Sequence, residues 1–128
     1  MFTSRFLAGV CLGVTLLSTM GCGGNDCGVS GLNVVPATAT ADHTAAAPGN
    51  GQTFSASLQF KNKSGCVAIT AALVNSNWTA SDPSVHLSSS PTSLMTATCT
   101  AAVTNPVTIT ATSADGKMLT GRASLTCN

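Results

Sequence analysis

Residues Thr53–Phe60 have the sequence TFSASLQF, in which apolar and polar side chains alternate at every position. One face of an extended chain here carries only apolar side chains, namely Phe54, Ala56, Leu58 and Phe60. Alternation with a period of two is typical of a strand that has one buried face and one face in water. The stretch therefore predicts a β-strand, and these four side chains are expected in a core.

The same alternation recurs near the end of the sequence, over Val107–Ala111 and Leu119–Cys127. The side chains that we expect to point inward are Val107, Ile109 and Ala111 in the first stretch, and Leu119, Ala123, Leu125 and Cys127 in the second. Asp115-Gly116 lies between the two stretches and tolerates the positive φ of a tight turn. We therefore expect the last two strands to form a hairpin.

Four shorter stretches complete the set of predicted strands, at Leu32–Val35, Val74–Thr79, Val85–Leu87 and Leu94–Thr100. No stretch after the N-terminal segment has helical periodicity. The Ala-, Gly- and Pro-containing stretch Thr38–Gly51 is expected to cross between sheets without forming a strand. About seven short strands separated by turn signals predict an all-β fold, an immunoglobulin-like Greek-key sandwich.

The N-terminal segment has the features of an export signal. Arg5 supplies positive charge, and the apolar run Phe6–Met20 follows it. The run has fifteen residues, whereas a membrane-spanning helix needs about 17 to 25. An ordinary secretory signal ends in an Ala-x-Ala-like site, and no such tripeptide occurs before Leu32.

Gly21-Cys22, directly after this run, resembles the end of a bacterial lipoprotein signal, in which cleavage before a cysteine exposes it for lipid attachment. Thr19 stands where such signals usually have Leu. The resemblance implies a cleaved signal over residues 1–21, a lipidated Cys22 with a short glycine-rich tether over residues 22–30, and a sandwich domain over residues 31–128. Gly23 rather than Asp after the lipidated cysteine resembles lipoproteins that are passed to the outer membrane.

The number of cysteines agrees with lipidation. The chain has six, and Cys11 lies within the removable signal. Removal of Cys11 with the signal leaves five cysteines, and an odd number in an exported protein requires an explanation. Lipidation of Cys22 leaves an even set of four. That set consists of Cys27, Cys66, Cys99 and Cys127.

Three stretches resemble the group 2 bacterial immunoglobulin-like domains, over roughly Leu32 to Cys127. Gly51–Phe54 is similar to the opening of that family's second strand, Trp78–Val85 (WTASDPSV) to its Trp-Ser-Ser-Ser-Asp-Pro-Ser-Val stretch, and Thr108–Thr112 to its penultimate strand. Asn105-Pro106 replaces the glycine that usually precedes this last strand. Family members do not usually need four cysteines.

The cysteine spacing alone leaves three pairings open. If the topology is that of the resembled family, Cys27 and Cys66 meet at one end of the sandwich, and Cys99 and Cys127 meet at the other. Each bridge would then stabilise the domain by about 3 to 4 kcal/mol.

Metal and cofactor sites are not indicated. Structural zinc sites usually contain Cys-x2-Cys pairs, which are absent from this sequence, and calcium sites need clustered oxygen ligands, whereas the four Asp residues are scattered. We therefore expect no cofactor. Only Lys61 and Lys63 form a close basic pair, so we expect no nucleic-acid partner.

Catalytic residues are not indicated either. His43 beside Asp42 and His86 within a predicted strand are the only histidines, and the chain has no Glu. Neither histidine lies in a motif of nucleophilic catalysis. Trp78 is the single tryptophan and the one candidate platform for a sugar, but its place in the strand pattern favours the core. We therefore expect a protein that is not an enzyme.

Two functions are compatible with these features. The first is a lipid-anchored protein of the bacterial cell envelope, held in the membrane through Cys22, whose domain has a structural or adhesive role. The second is an accessory module that docks on another envelope protein or a surface glycan. A contiguous apolar surface patch would favour docking, and a surface covered with Thr and Ser would favour display.

Overall fold

The computed structural model describes residues 28–61 and 72–128. In these ranges the chain forms eight β-strands and no helix, which confirms the all-β prediction. The strands are β1 (Val29–Val35), β2 (Thr38–Ala41), β3 (Gly51–Phe60), β4 (Ser76–Ala80), β5 (Val85–Leu87), β6 (Leu94–Cys99), β7 (Val107–Ser113) and β8 (Thr120–Cys127).

The strands form two sheets of four, in the orders β1-β3-β6-β5 and β2-β8-β7-β4. This arrangement is consistent with a β-sandwich. Every neighbouring pair is antiparallel except β2 and β8, which are parallel. We refer to the first as the β3 sheet and to the second as the β7 sheet.

The core lies between the sheets and follows the alternation in the sequence. Its largest fully buried side chains include Phe54, Met95, Ile109 and Leu125, of which the first two come from the β3 sheet and the last two from the β7 sheet. Leu58 and Phe60, which were expected to be fully buried, are half-buried. They lie beyond Ser55, where the pairing of β3 with β6 ends, so less of the sandwich covers them.

β2 lies in the stretch that was expected to form no strand, and that expectation was wrong. Thr38–Ala41 pairs with the end of β8, from Thr38 opposite Ser124 to Ala41 opposite Cys127. Its sequence, TATA, has no large apolar side chain that could mark a strand. The chain does cross between the sheets on both sides of β2, at residues 36–37 and again over residues 42–50.

The predicted β7–β8 hairpin is confirmed, and Asp115-Gly116 lies in its connection. The pairing ends at Thr112 opposite Thr120, and the N–H of Ser113 donates to the carbonyl of Leu119 (2.8 Å). β8 therefore begins at Thr120 rather than at Leu119. Two residues of this connection have positive φ, namely Gly116 with φ of 81° and Met118 with φ of 55°.

The sandwich has two ends. We call the end where β1 begins the entry pole; there, Val29 lies opposite Phe60. The β7–β8 connection (residues 114–119) lies at the same pole. Its neighbours Thr120 and Gly121 approach Gly31 and Leu32 near the start of β1. The far pole holds the ends of β2, β4, β6 and β8, together with the connecting segments 42–50, 81–84 and 100–106. The tether was predicted to extend to residue 30, but Val29 and Ser30 are the first two residues of β1.

Candidate functional site

A disulfide closes the far pole. It joins Cys99 at the end of β6 to Cys127 at the end of β8, and their Cα atoms are 5.7 Å apart. Both cysteines are buried in the core. The bridge therefore connects the two sheets covalently, and it pairs the cysteines that the family resemblance implies for this end.

Backbone hydrogen bonds hold the far-pole segments against the strand ends. The bonds run from Cys99 N to Asn50 O (2.8 Å), from Thr100 N to Ser84 O (2.8 Å), from Val103 N to Cys127 O (3.0 Å) and from His43 N to Asn128 O (3.0 Å). Each bond joins parts of the chain that are far apart in sequence. The loops of this pole are therefore fixed to one another, as a preformed binding surface requires.

A shallow groove of about 270 Å³ lies at this pole, between residues 81–82 and residues 103–107. Ser81 Oγ accepts a hydrogen bond from Thr108 N (2.9 Å), and Asp82 Oδ1 accepts one from Ser84 N (2.8 Å). The groove is polar and contains one carboxylate, so it can accept hydrogen bonds from a small polar group. No histidine or cysteine lines it.

Asp42 and Asp82 accept hydrogen bonds from residues two positions further along the chain. The N–H of Ser84, followed by its hydroxyl, lowers the pKa of Asp82. The hydroxyl of Thr44 (2.7 Å), followed by its N–H (2.9 Å), lowers the pKa of Asp42. Hydrogen-bond donors stabilise the ionised form of a carboxylate and so lower its pKa. Both carboxylates therefore remain charged, and their hydrogen bonds stabilise the turns at residues 42–44 and 82–84.

The hydrogen bonds of Asp115 follow the same pattern at the entry pole. Lys117 N donates to Asp115 Oδ1 (3.0 Å). This bond, followed by one from the Ser113 hydroxyl, lowers the pKa of Asp115. The three described carboxylates therefore have local structural partners.

The two histidines lie on different parts of the chain. His43 lies in the 42–50 segment, and its ring Nδ1 contacts the carbonyl oxygen of Asn128. His86 lies on β5 and is exposed. The neighbouring Asp42 carboxylate is bonded to Thr44, so adjacency in sequence does not make an Asp–His pair here.

Trp78 is part of the core, as predicted. Its side chain is 5% exposed, and its indole N–H donates to the carbonyl of Thr92 (2.8 Å). This bond fastens β4 to the segment between β5 and β6. Trp78 therefore cannot serve as an aromatic platform for a sugar at the surface.

The outer face of the β7 sheet is covered with threonine. The register places Thr79 beside Thr110 and Thr110 beside Arg122, and the pattern continues over the four strands. The threonines of this face are Thr38, Thr40, Thr79, Thr108, Thr110, Thr112, Thr120 and Thr126, all at least partly exposed. This polar surface, on which Arg122 is the one charged side chain among the four strands, offers hydroxyl and methyl groups alike.

The outer face of the β3 sheet differs, because it presents three apolar side chains. Val35 and Leu94 lie on either side of Ser55 in the register, and Leu73 forms a bridge with Ser57. Val35, Leu73 and Leu94 are 49%, 57% and 53% exposed. We call these three side chains the apolar patch.

Three of the predicted site residues, Cys22, Cys27 and Cys66, lie outside the described residues. The neighbouring described positions do meet, because Lys61 N donates to Gly28 O (3.0 Å). Gly28 and Lys61, the described residues nearest in sequence to Cys27 and Cys66, therefore lie at the same pole.

Residues 28–61 and 72–128 contain neither a cluster of metal ligands nor a helix able to span a membrane. There, no three His, Cys, Asp or Glu side chains come together as a metal-binding group. Nor does any described helix have the length and apolar character needed to cross a bilayer.

Comparison with protein-family models, curated proteins and solved structures finds no match to this chain. The proposed function therefore rests on the sequence motifs and on the positions of the described residues. The sequence analysis did not identify the groove or the apolar patch, because each is built from segments that are distant in sequence.

Proposed function

We propose that this protein is a non-catalytic, lipid-anchored display protein of the bacterial cell envelope, whose single immunoglobulin-like domain has a structural or adhesive role. The observation that carries the proposal is the outer face of the β7 sheet, which is covered by threonine across all four strands. Such a surface is soluble and carries little charge. The anchor itself is argued from Gly21-Cys22 and the cysteine count.

The order of the strands supports the immunoglobulin-like part of the proposal. In such a fold, β1, β3, β6 and β5 take positions A, B, E and D, and β4, β7 and β8 take positions C, F and G. β2 is then the part of the first strand that changes sheets. Trp78 on β4 occupies the place of the buried tryptophan that antibody domains carry on strand C. The likeness to the group 2 bacterial domains rests on the sequence motifs.

A fatty-acid label tests the anchor. We expect the wild-type protein to incorporate the label in growing bacteria and the Cys22→Ala variant to lose it, because the thiol of Cys22 is the acceptor. Cys11→Ala is the matched control and should keep the label, since Cys11 precedes the cleavage site. Equal labelling of wild type and Cys22→Ala would contradict the anchor.

A second function, an accessory module that docks on another envelope protein, is favoured by the apolar patch. Crosslinking in intact cells followed by purification separates the two functions. The docking module predicts a stoichiometric partner that is lost in the Val35→Ser/Leu94→Ser variant and retained in the matched Thr79→Ser/Thr110→Ser variant. A display protein would yield no partner that depends on the patch.

A further inference from the structure

The β7–β8 connection presents an apolar side chain at the entry pole. Met118 is 71% exposed and has φ of 55°, a conformation that residues other than glycine seldom adopt. The surrounding backbone is fixed, because Leu119 N donates to Ser113 Oγ (3.1 Å) and Lys117 N donates to Asp115 Oδ1 (3.0 Å). The hairpin thus holds an unbranched, adaptable side chain outside the fold.

This hairpin lies beside the point where the chain enters the domain. A methyl group added to Gly31 would be 3.4 Å from the carbonyl oxygen of Thr120, and one added to Gly121 would be 2.6 Å from that of Leu32. The start of β8 therefore packs on the start of β1. Six residue steps separate Cys22 from Gly28, and an extended chain of that length spans at most about 20 to 22 Å.

The charges are distributed unevenly between the two poles. Among the described residues, the basic side chains Lys61, Lys117 and Arg122 all lie in the entry half of the sandwich, whereas Asp42 and Asp82 lie at the far pole. Asp115 is the one described carboxylate at the entry pole. Basic groups close to a membrane are attracted to anionic headgroups within about a Debye length. The entry pole therefore has the charge that an anionic lipid surface attracts.

We infer that the entry pole is a membrane-contact surface, on which Met118 enters the interfacial region of an anionic bilayer while Lys117 and Lys61 face its phosphate groups. This inference rests on the proposed lipid anchor at Cys22. Contact at this pole directs the opposite end of the sandwich, with its groove and disulfide, away from the membrane. The display domain then has one fixed orientation instead of turning freely on its tether.

Quenching of tryptophan fluorescence by brominated lipid tests this inference in the full-length, processed protein. Met118→Trp and Thr104→Trp are each reconstituted into phosphatidylcholine–phosphatidylglycerol vesicles with bromine on the acyl chains. Thr104 is exposed at the far pole and supplies the matched control, and the buried Trp78 supplies a constant background. We expect the tryptophan at position 118 to lose most of its fluorescence and the one at position 104 to retain it. Adding Lys117→Gln to Met118→Trp should weaken the quenching.

The mass of the purified protein separates the two ways in which the experiment can fail. If Cys22 carries the acyl mass and the tryptophan at position 118 is not quenched, or is quenched no more than the one at position 104, the contact surface is wrong while the anchor stands. If the acyl mass is missing, the proposed anchor fails and the inference falls with it. Unchanged disulfide-linked peptides in both variants show that the fold is retained.

Discussion

Gly121 lies at a point where β8 packs against β1 without room for a side chain. A Cβ atom at this position would lie 2.6 Å from the carbonyl oxygen of Leu32 and 2.9 Å from a methyl carbon of Val34. Both neighbours belong to β1, and the nearer atom is backbone that cannot rotate away. Glycine is required here by the space available and not by its backbone conformation.

Replacement of Gly121 by alanine should therefore destabilise the protein. We expect Gly121→Ala to lower the free energy of unfolding by about 1 to 3 kcal/mol, as overpacking in a tight core does. Gly31→Ala is the matched control at the same junction, because its added methyl group would meet Thr120 O at an ordinary 3.4 Å. Urea unfolding followed by Trp78 fluorescence measures both variants, and equal stabilities would contradict the argument.

Among the elements, β6 and β8 carry the covalent link between the sheets. Cys99 and Cys127 are 28 residues apart in sequence, and closing a loop of that length removes conformational freedom from the unfolded chain. β8 also pairs with β7 on one side and with β2 on the other. The bridge thus joins an inner strand of one sheet to an inner strand of the other.

The Cys99→Ala/Cys127→Ala variant should unfold more readily than the wild type. For a loop of this length, the chain-entropy model gives a loss of about 3 to 4 kcal/mol in the free energy of unfolding. Urea unfolding measures this loss as a lower midpoint with an unchanged m-value. The double variant has an internal control, since any further loss of stability on adding reductant reports the predicted Cys27–Cys66 bridge. A double variant as stable as the wild type would show that the link does not brace the fold.

At the scale of the whole molecule, the three described aspartates, which lie at both poles, make the free energy of unfolding depend on pH. Hydrogen bonds lower the pKa of Asp42, Asp82 and Asp115 below the ordinary value of 3.8. A group whose pKa is lowered by folding stabilises the folded state above its unfolded pKa, and this contribution is lost as pH falls through the folded pKa. Acid should therefore weaken the whole sandwich.

We expect the urea midpoint to be level above about pH 5 and to fall at lower pH. In the Asp42→Asn/Asp82→Asn/Asp115→Asn variant the fall should be smaller, because an amide oxygen still accepts the N–H bonds but does not titrate. Urea unfolding at several pH values, for both proteins, measures the difference. An identical acid dependence would mean that other groups are responsible.

The strand alternation in the sequence was sufficient to predict most of the architecture, because each buried strand carries its own pattern. Phe54, Ile109 and Leu125 were placed on inward faces before any contact was known, and all three are buried. β2 could not be predicted in this way. Its alternating threonines and alanines become a strand only because β8 offers a parallel partner.

The candidate sites were harder to predict from the sequence than the strands were. The sequence alone determined the all-β class and the buried tryptophan, since these follow from local patterns, and it contains the Gly21-Cys22 motif on which the proposed anchor rests. Only the tertiary structure decided which cysteines meet at the far pole, where the groove lies, and that Val35, Leu73 and Leu94 form one patch. The physical reason is that side chains from distant segments meet only once the register and the packing of the two sheets are set.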